Sequence, residues 1–328
     1  MRSIRRGLGL ICLLVLAVML VSCGTEQKAA KKVKIGIVTN ASSPFWTAMQ
    51  VGMKRAADAL GCEATCQLNP KGKVDDQRRL LEDYAAKGVK AISVSPVDPR
   101  AVGPVIDNLV EKQDCIVITM DSDAPQSKRV AYIGTDNYKA GQECGRQALK
   151  VCAPGTKVVA FVGYMSAMNA QQRLQGFKDA TKGVLEVVDV VEDQTDKTKA
   201  QTNAQDVLQS RPEVRCLLGL WSYNAPAITN AVESAQKLGK VKIVCFDAEE
   251  ETLNKLVDGK IDVTIVQKPY MFGYLSVMVL HDMVTLGVDE TLATLPKGGI
   301  IDTGVTVVTP KNARAFREQL HKMGVKSS

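Results

Sequence analysis

The chain has 328 residues, 45% of them hydrophobic and 23% charged, a balance ordinary for a globular protein. Its length passes the ~250–300 residues at which single cores split, so two domains are the default. The net charge is +7; without the three arginines of the N-terminal segment, 39 basic against 35 acidic residues leave +4. No block of like charge concentrates it, and nucleic-acid binding gains no support.

The first element is a leader. Arg2, Arg5 and Arg6 precede an apolar run from Leu8 to Val21, which ends in Leu20-Val21-Ser22-Cys23. This reads as a signal peptide over 1–22 closing on a lipobox, with Cys23 diacylated after cleavage. A transmembrane anchor or a chance cysteine is the competing reading, but the run falls short of the ~20 residues a spanning helix needs and small residues lead into Cys23. Residues 23–32, with Lys28, Lys31 and Lys32, read as a lipid-anchored flexible linker. The remainder is then extracytoplasmic and held at a membrane, in a periplasm or on a cell surface. That removes most cytosolic enzymes and all transcription factors.

Strand-like apolar runs then alternate with helical patterns. The first half offers Val33–Thr39, Glu63–Leu68, Ala91–Ser95, Ile116–Met120 and Val130–Gly134. The second offers Val158–Val162, Leu185–Val191, Arg215–Leu220, Lys242–Phe246 and Val263–Val266. Met49, Met53, Ala56 and Leu60 mark the first helical spacing. Near-continuous Val/Ile runs point to strands buried on both faces of a parallel sheet. Five such units followed by five more predict two doubly wound α/β domains. Residues 310–321 predict an added helical tail of no evident chemistry.

Seven cysteines follow Cys23: Cys62, Cys66, Cys115, Cys144, Cys152, Cys216 and Cys245. An odd number leaves at least one unpaired within the chain. Cys62 and Cys66 on a strand lie ~13 Å apart, and Cys144 and Cys152 on a helix ~12 Å. Neither pair reaches the ~7 Å limit for a disulfide. Buried thiols are expected, and no metal site, since the only histidines are His281 and His321.

Polar and aromatic residues gather where the strands end. Ser43, Phe45 and Trp46 follow the first strand; Pro96 and Asp98 the third; Asp121 and Ser122 the fourth. Arg173 lies beyond the sixth, Trp221 ends the eighth, Asp247 follows the ninth and Gln267 closes the tenth. Open α/β sheets bind ligands at these carboxyl ends. Two such edges facing one another make a cleft lined from both domains. Helix capping accounts for Asp98 and Asp136, but not for aromatics at the same edges.

With these residues in place, the chain resembles the sugar-binding periplasmic proteins of ABC importers, specifically the ribose/galactose type. The motifs run in order from Lys34 to about Thr309. They begin with Ile35-Gly36-Ile37-Val38, Ser43-Pro44-Phe45-Trp46, Ser95-Pro96-Val97-Asp98 with Ala101, and Val117-Ile118-Thr119-Met120-Asp121. Tyr132-Ile133-Gly134-Thr135-Asp136-Asn137 with Gly141, and Arg173 before Gly176-Phe177, come next. Val244-Cys245-Phe246-Asp247, Asp258-Gly259-Lys260 and Gln267-Lys268-Pro269-Tyr270 with Gly273-Tyr274 complete the set. The resemblance implies a type I periplasmic binding protein fold: two doubly wound parallel-sheet domains joined by a three-strand hinge. It implies crossings near Thr135–Asn137, Gln267–Pro269 and Asp302–Gly304. One lobe then holds 33–135 plus 268–302, the other 136–267 plus 303–328.

By the same resemblance the ligand residues are Ser43, Phe45, Trp46, Asp121, Ser122, Arg173, Trp221, Asp247 and Gln267. Asp121, Arg173, Asp247 and Gln267 keep polar types similar to the family's ribose site, and Phe45 and Trp46 keep its aromatic sandwich. Ser43 and Trp221 stand where ribose binders carry asparagine, and Ser122 where they carry arginine. A hexose, deoxysugar, cyclitol or modified sugar therefore fits at least as well as ribose. Asp123, Asn169 and Tyr223 are the candidate replacement contacts, and core packing is the competing role for each aromatic.

The implied function is capture of a monosaccharide or related polyol by hinge closure and delivery to an ABC permease, by a monomer without cofactor. A lipoprotein that signals ligand to a chemoreceptor or histidine kinase is the alternative. A LacI-type repressor needs a helix-turn-helix where Arg2–Cys23 stands. An enzyme lacks support, since no phosphate-binding glycine loop or nucleophile triad is evident; Asp121 and Asp247 could only mimic a glycosidase pair.

Overall fold

The computed structural model describes residues 32–326, so the signal segment, Cys23 and all of the linker but Lys32 lie outside the described residues. The first half lays down β1 (Lys34–Val38), α1 (Phe45–Leu60), β2 (Glu63–Gln67), α2 (Val74–Ala86), β3 (Ala91–Val94), α3 (Pro99–Gln113), β4 (Ile116–Met120) and β5 (Tyr132–Gly134). The second repeats the plan with α4 (Asn137–Val151), β6 (Lys157–Val162), α5 (Met168–Thr181), β7 (Glu186–Glu192), α6 (Lys197–Ser210), β8 (Val214–Gly219), α7 (Asn224–Ser234), β9 (Lys242–Phe246), α8 (Glu250–Val257) and β10 (Val263–Val266). There follow α9 (Pro269–Thr285), α10 (Val288–Thr294), β11 (Ile300–Asp302), β12 (Thr306–Val308) and α11 (Ala313–Lys322).

Two six-stranded sheets result, in the orders β11-β5-β4-β3-β1-β2 and β12-β10-β9-β8-β6-β7. Position for position they match, so β6–β10 repeat β1–β5. All neighbours in the first sheet are parallel. In the second only β12 runs antiparallel, against β10. Central strands such as β3 and β10 are buried at every residue, as sheets covered on both faces require. Edge strands β2 and β7 are largely half-exposed and carry glutamates at their ends. β11, with three residues, is too short to show a period in the sequence and was not among the expected strands.

The chain passes between the sheets after β5, after β10, and between β11 and β12. At the first and third passages the Asp302 carboxylate accepts from the amides of Asp136 (3.0 Å) and Gly304 (2.9 Å). Asp98 and Asp136 cap α3 and α4. The C-terminal α11 buries Leu320 and the following Val325 in a cluster that also takes in Ala48 of α1 and Tyr270 of α9.

Two helix pairs come unusually close. Gly52 of α1 faces the carbonyl of Tyr270 while Gly273 of α9 faces that of Met49. Gly141 of α4 faces the carbonyl of Arg173 while Gly176 of α5 faces that of Tyr138. Any Cβ there would strike backbone, so only glycine permits the approach. The seven cysteines among the described residues form no disulfide; five of them are buried and Cys62 and Cys66 half-buried.

Candidate functional site

One cavity, with about 480 Å³ of atom-free space including its mouth, is lined from the carboxyl ends of both sheets. Asp121 follows β4 and Asp247 follows β9, equivalent positions in the repeated plan. Both adopt left-handed backbone, with φ of 59° and 65°. Aspartate is among the few residues that tolerate this region, and departures of this kind cluster at functional sites.

Both carboxylates are buried. Asp121 Oδ2 accepts from Ser95 Oγ at 2.8 Å and from Asn40 Nδ2 at 3.4 Å. Burial pushes its carboxyl above the usual range, against the pull of Arg173 and its hydrogen bonds. Asp247 accepts from Gln267 Nε2 at 3.1 Å and from the Gln267 amide at 3.3 Å. Burial raises it to about 6, again opposed by Arg173.

Arg173 lies four residues after Asn169 on α5, which puts both on one face of the helix. Its guanidinium is 1% exposed and stacks 4.6 Å over the Phe246 ring. Nε donates to Asn137 Oδ1 (2.9 Å) and Nη1 to the Leu220 carbonyl (2.7 Å), 3.8 Å from Asp247 Oδ2. Nη2 is buried without a protein partner among the described residues. The buried cluster thus sets one cation between two carboxylates, with donors and acceptors turned to the same space.

Aromatic faces complete the walls. Phe45 and Trp46 open α1 and meet edge-to-face with centroids 4.9 Å apart; Phe45 also leans on Phe272 of α9. From the opposite side Trp221 packs edge-on against Tyr223.

Ser43, Phe45, Trp46, Asp121, Arg173, Trp221, Asp247 and Gln267 all line this cavity, as do Asn169 and Tyr223. Ser122 and Asp123 do not. The left-handed turn at Asp121 sends the Ser122 hydroxyl into the protein, fully buried and without a partner among the described residues. Asp123 is spent on Arg129 (2.6 and 2.7 Å) and Thr119 (2.5 Å).

Asn40, Ser42, Thr195, Lys197 and Ser222 also line the cavity and were not anticipated. Asn40 and Ser222 obey the same strand-end rule as the others. Thr195 and Lys197 follow the edge strand β7. Thr195 holds φ of 66°, rare for a β-branched residue, with its amide donating to Asp193 Oδ1 at 2.9 Å. Lys197 lies 3.7 Å from Glu249, which also accepts from Ser222 Oγ at 2.9 Å.

A profile described as the periplasmic binding protein domain matches residues 35–287. The chain belongs to that family. This periplasmic binding protein is 24% identical over 256 residues to the ribose import binding protein RbsB of Bacillus subtilis, covering 77% of this chain and 82% of that one. It is similar to GanP, a glucose-galactose binding protein from Geobacillus stearothermophilus, at a TM-score of 0.79 and 29% identity, over 86% and 99% of the two chains. It also matches a chain of the XylFII–LytSN complex, at 0.78 and 25%, again over 86% and 99%. The two-sheet architecture is the type I fold of these proteins.

Proposed function

We propose that this periplasmic binding protein captures a monosaccharide or related polyol between its lobes and delivers it to an ABC permease. The observation that carries the reading is the pair of equivalent left-handed carboxylates, Asp121 and Asp247, flanking Arg173 in one aromatic-walled cavity. Sugar hydroxyls both donate and accept, and charge-assisted bonds from carboxylate and guanidinium match adjacent hydroxyls. Phe45, Trp46 and Trp221 offer apolar faces to ring C–H bonds. Ser43 and the buried Gln267 add polar contacts. The names of the relatives, ribose and glucose-galactose binders, support the same class.

The lobes move as 33–135 plus 268–302 against 136–267 plus 303–328. A ligand touching both favours the closed state through differential affinity. Lipidation at Cys23 tethers the monomer outside the cytoplasm beside its permease. No step needs covalent chemistry or a cofactor.

Titration calorimetry against pentoses, hexoses, deoxysugars and cyclitols tests the reading. At least one binds, and Asp247→Ala abolishes measurable heat for that sugar; unchanged affinity in Asp247→Ala refutes the site. A second reading, supported by the likeness to a protein solved in the XylFII–LytSN complex, is presentation of the closed form to a membrane sensor. Co-purification of the sugar-loaded protein with a permease or with a sensor kinase separates the two.

A further inference from the structure

The orientation of one side-chain amide in the cavity is set by an indole. Asn169 and Trp221 both belong to the second half of the chain and both are buried. Trp221 Nε1 donates to Asn169 Oδ1 at 3.2 Å, and Asn169 Nδ2 donates to Asp121 Oδ2 and Oδ1 at 3.3 and 3.4 Å. An indole N–H only donates and a carboxylate only accepts. The reverse amide orientation would set N–H against N–H and oxygen against oxygen, so the chemistry of the two partners leaves one choice.

The indole itself is fixed. Gly163 packs so closely on its six-membered ring that a Cβ would overlap it. The Trp221 amide donates to Asn224 Oδ1 at 3.0 Å. Asn224 Nδ2 and Tyr223 OH both donate to Asp193, at 2.9 and 2.5 Å. That network anchors the turn carrying Trp221 to the segment that follows the edge strand β7 of the same sheet.

We propose that Trp221 is a positioning residue that acts through Asn169, and that the Asn169–Asp121 pair selects a ligand hydroxyl. Such a hydroxyl donates to the Asp121 carboxylate and accepts from the Asn169 amide. A deoxy carbon at that position leaves both groups unpaired, which buried polar groups tolerate poorly. The hydroxyl selection rests on the carbohydrate reading above; the Trp221–Asn169 coupling does not.

Two measurements test it on the full chain. The first uses ligand-free, ¹⁵N-labelled protein. Only two tryptophans are present, so the indole region holds two resonances, assigned with Trp46→Phe. In Asn169→Ala the Trp221 indole proton moves upfield and exchanges faster with water, while Trp46 stays in place. An unmoved Trp221 resonance overturns the coupling.

The second is calorimetry with D-ribose, D-allose, D-xylose, D-arabinose, D-galactose and their monodeoxy analogues. For the tightest sugar of this panel, Trp221→Phe and Asn169→Ala each weaken binding at least about tenfold. The double variant binds no more weakly than Asn169→Ala alone, because phenylalanine keeps an aromatic face toward the ligand and the indole N–H works only through the amide. One monodeoxy analogue is disfavoured at least about tenfold by the native protein, and Asn169→Ala narrows that gap. Additive losses, or equal affinity for every analogue, overturn the proposal. If the native protein binds no sugar of the panel, the carbohydrate reading and the hydroxyl selection both fall, and the indole resonance alone decides the coupling.

Discussion

Replacing Asp247 with asparagine stabilises the ligand-free protein while weakening its sugar binding. Burial moves this carboxyl from its ordinary 3.8 to about 6. At about 1.36 kcal/mol per pH unit, keeping it ionised inside the fold costs about 3 kcal/mol. Asparagine tolerates the same left-handed backbone and its oxygen can still accept from the Gln267 amide. Arg173 keeps Asp121 as counter-charge, so the substitution removes the surplus carboxylate of the cluster. The sign follows from linkage. Below pH 3.8 both folded and unfolded chains hold the proton and the variant gains nothing. As pH rises from there to about 6 the unfolded chain releases its proton while the folded one retains it, and the native protein loses stability. Above about 6 the deficit is complete. With roughly 2–4 °C per kcal/mol for a chain near this size, Asp247→Asn melts roughly 6–12 °C higher at pH 7.5 and with the native protein at pH 3.5. Calorimetric or circular-dichroism melts across that range check it. A variant less stable at pH 7.5, or a gap independent of pH, refutes the argument.

The same ionisation governs binding. If ligand hydroxyls donate to Asp247 as proposed, they need its charge, so affinity is flat above about pH 7 and falls roughly tenfold by pH 5, measured by calorimetry on the tightest sugar. Gly273→Val drives a Cβ into the Met49 carbonyl and pries α9 from α1, costing about 1–3 kcal/mol in urea unfolding. Leu320→Ala removes a buried side chain from the cluster that α11 shares with Ala48 and Tyr270, and lowers stability by about 2 kcal/mol in the same assay.

Much of this fold was legible because parallel strands buried on both faces write themselves as uninterrupted Val/Ile runs. The ten strands expected from those runs all form, within one or two residues at most ends. β11 and α10 escaped notice because three and seven residues show too little periodicity. At the cavity, the strand-end rule brought together residues scattered from Ser43 to Gln267. It misplaced Ser122 because a left-handed turn at Asp121 cannot be read from residue type, and adjacency along the chain then misleads. It passed over Thr195 and Lys197 because they follow an edge strand, where the sequence is more polar and the ligand rule looks weaker. Asn169 was visible as a candidate, yet the direction of its amide depended on an indole 52 positions away, which only the fold brings near.

The two close helix pairs have a mechanical consequence. α4 begins where the chain leaves the first sheet and grips α5, the carrier of Asn169 and Arg173; α9 begins where it returns and grips α1, the carrier of Phe45 and Trp46. The first and second passages between the sheets are thereby each coupled to a cavity-bearing helix through contacts in which glycine meets backbone. If the lobes close as proposed, a small twist at these two passages reaches the helices that carry cavity residues through glycine-to-carbonyl contacts rather than through flexible side chains.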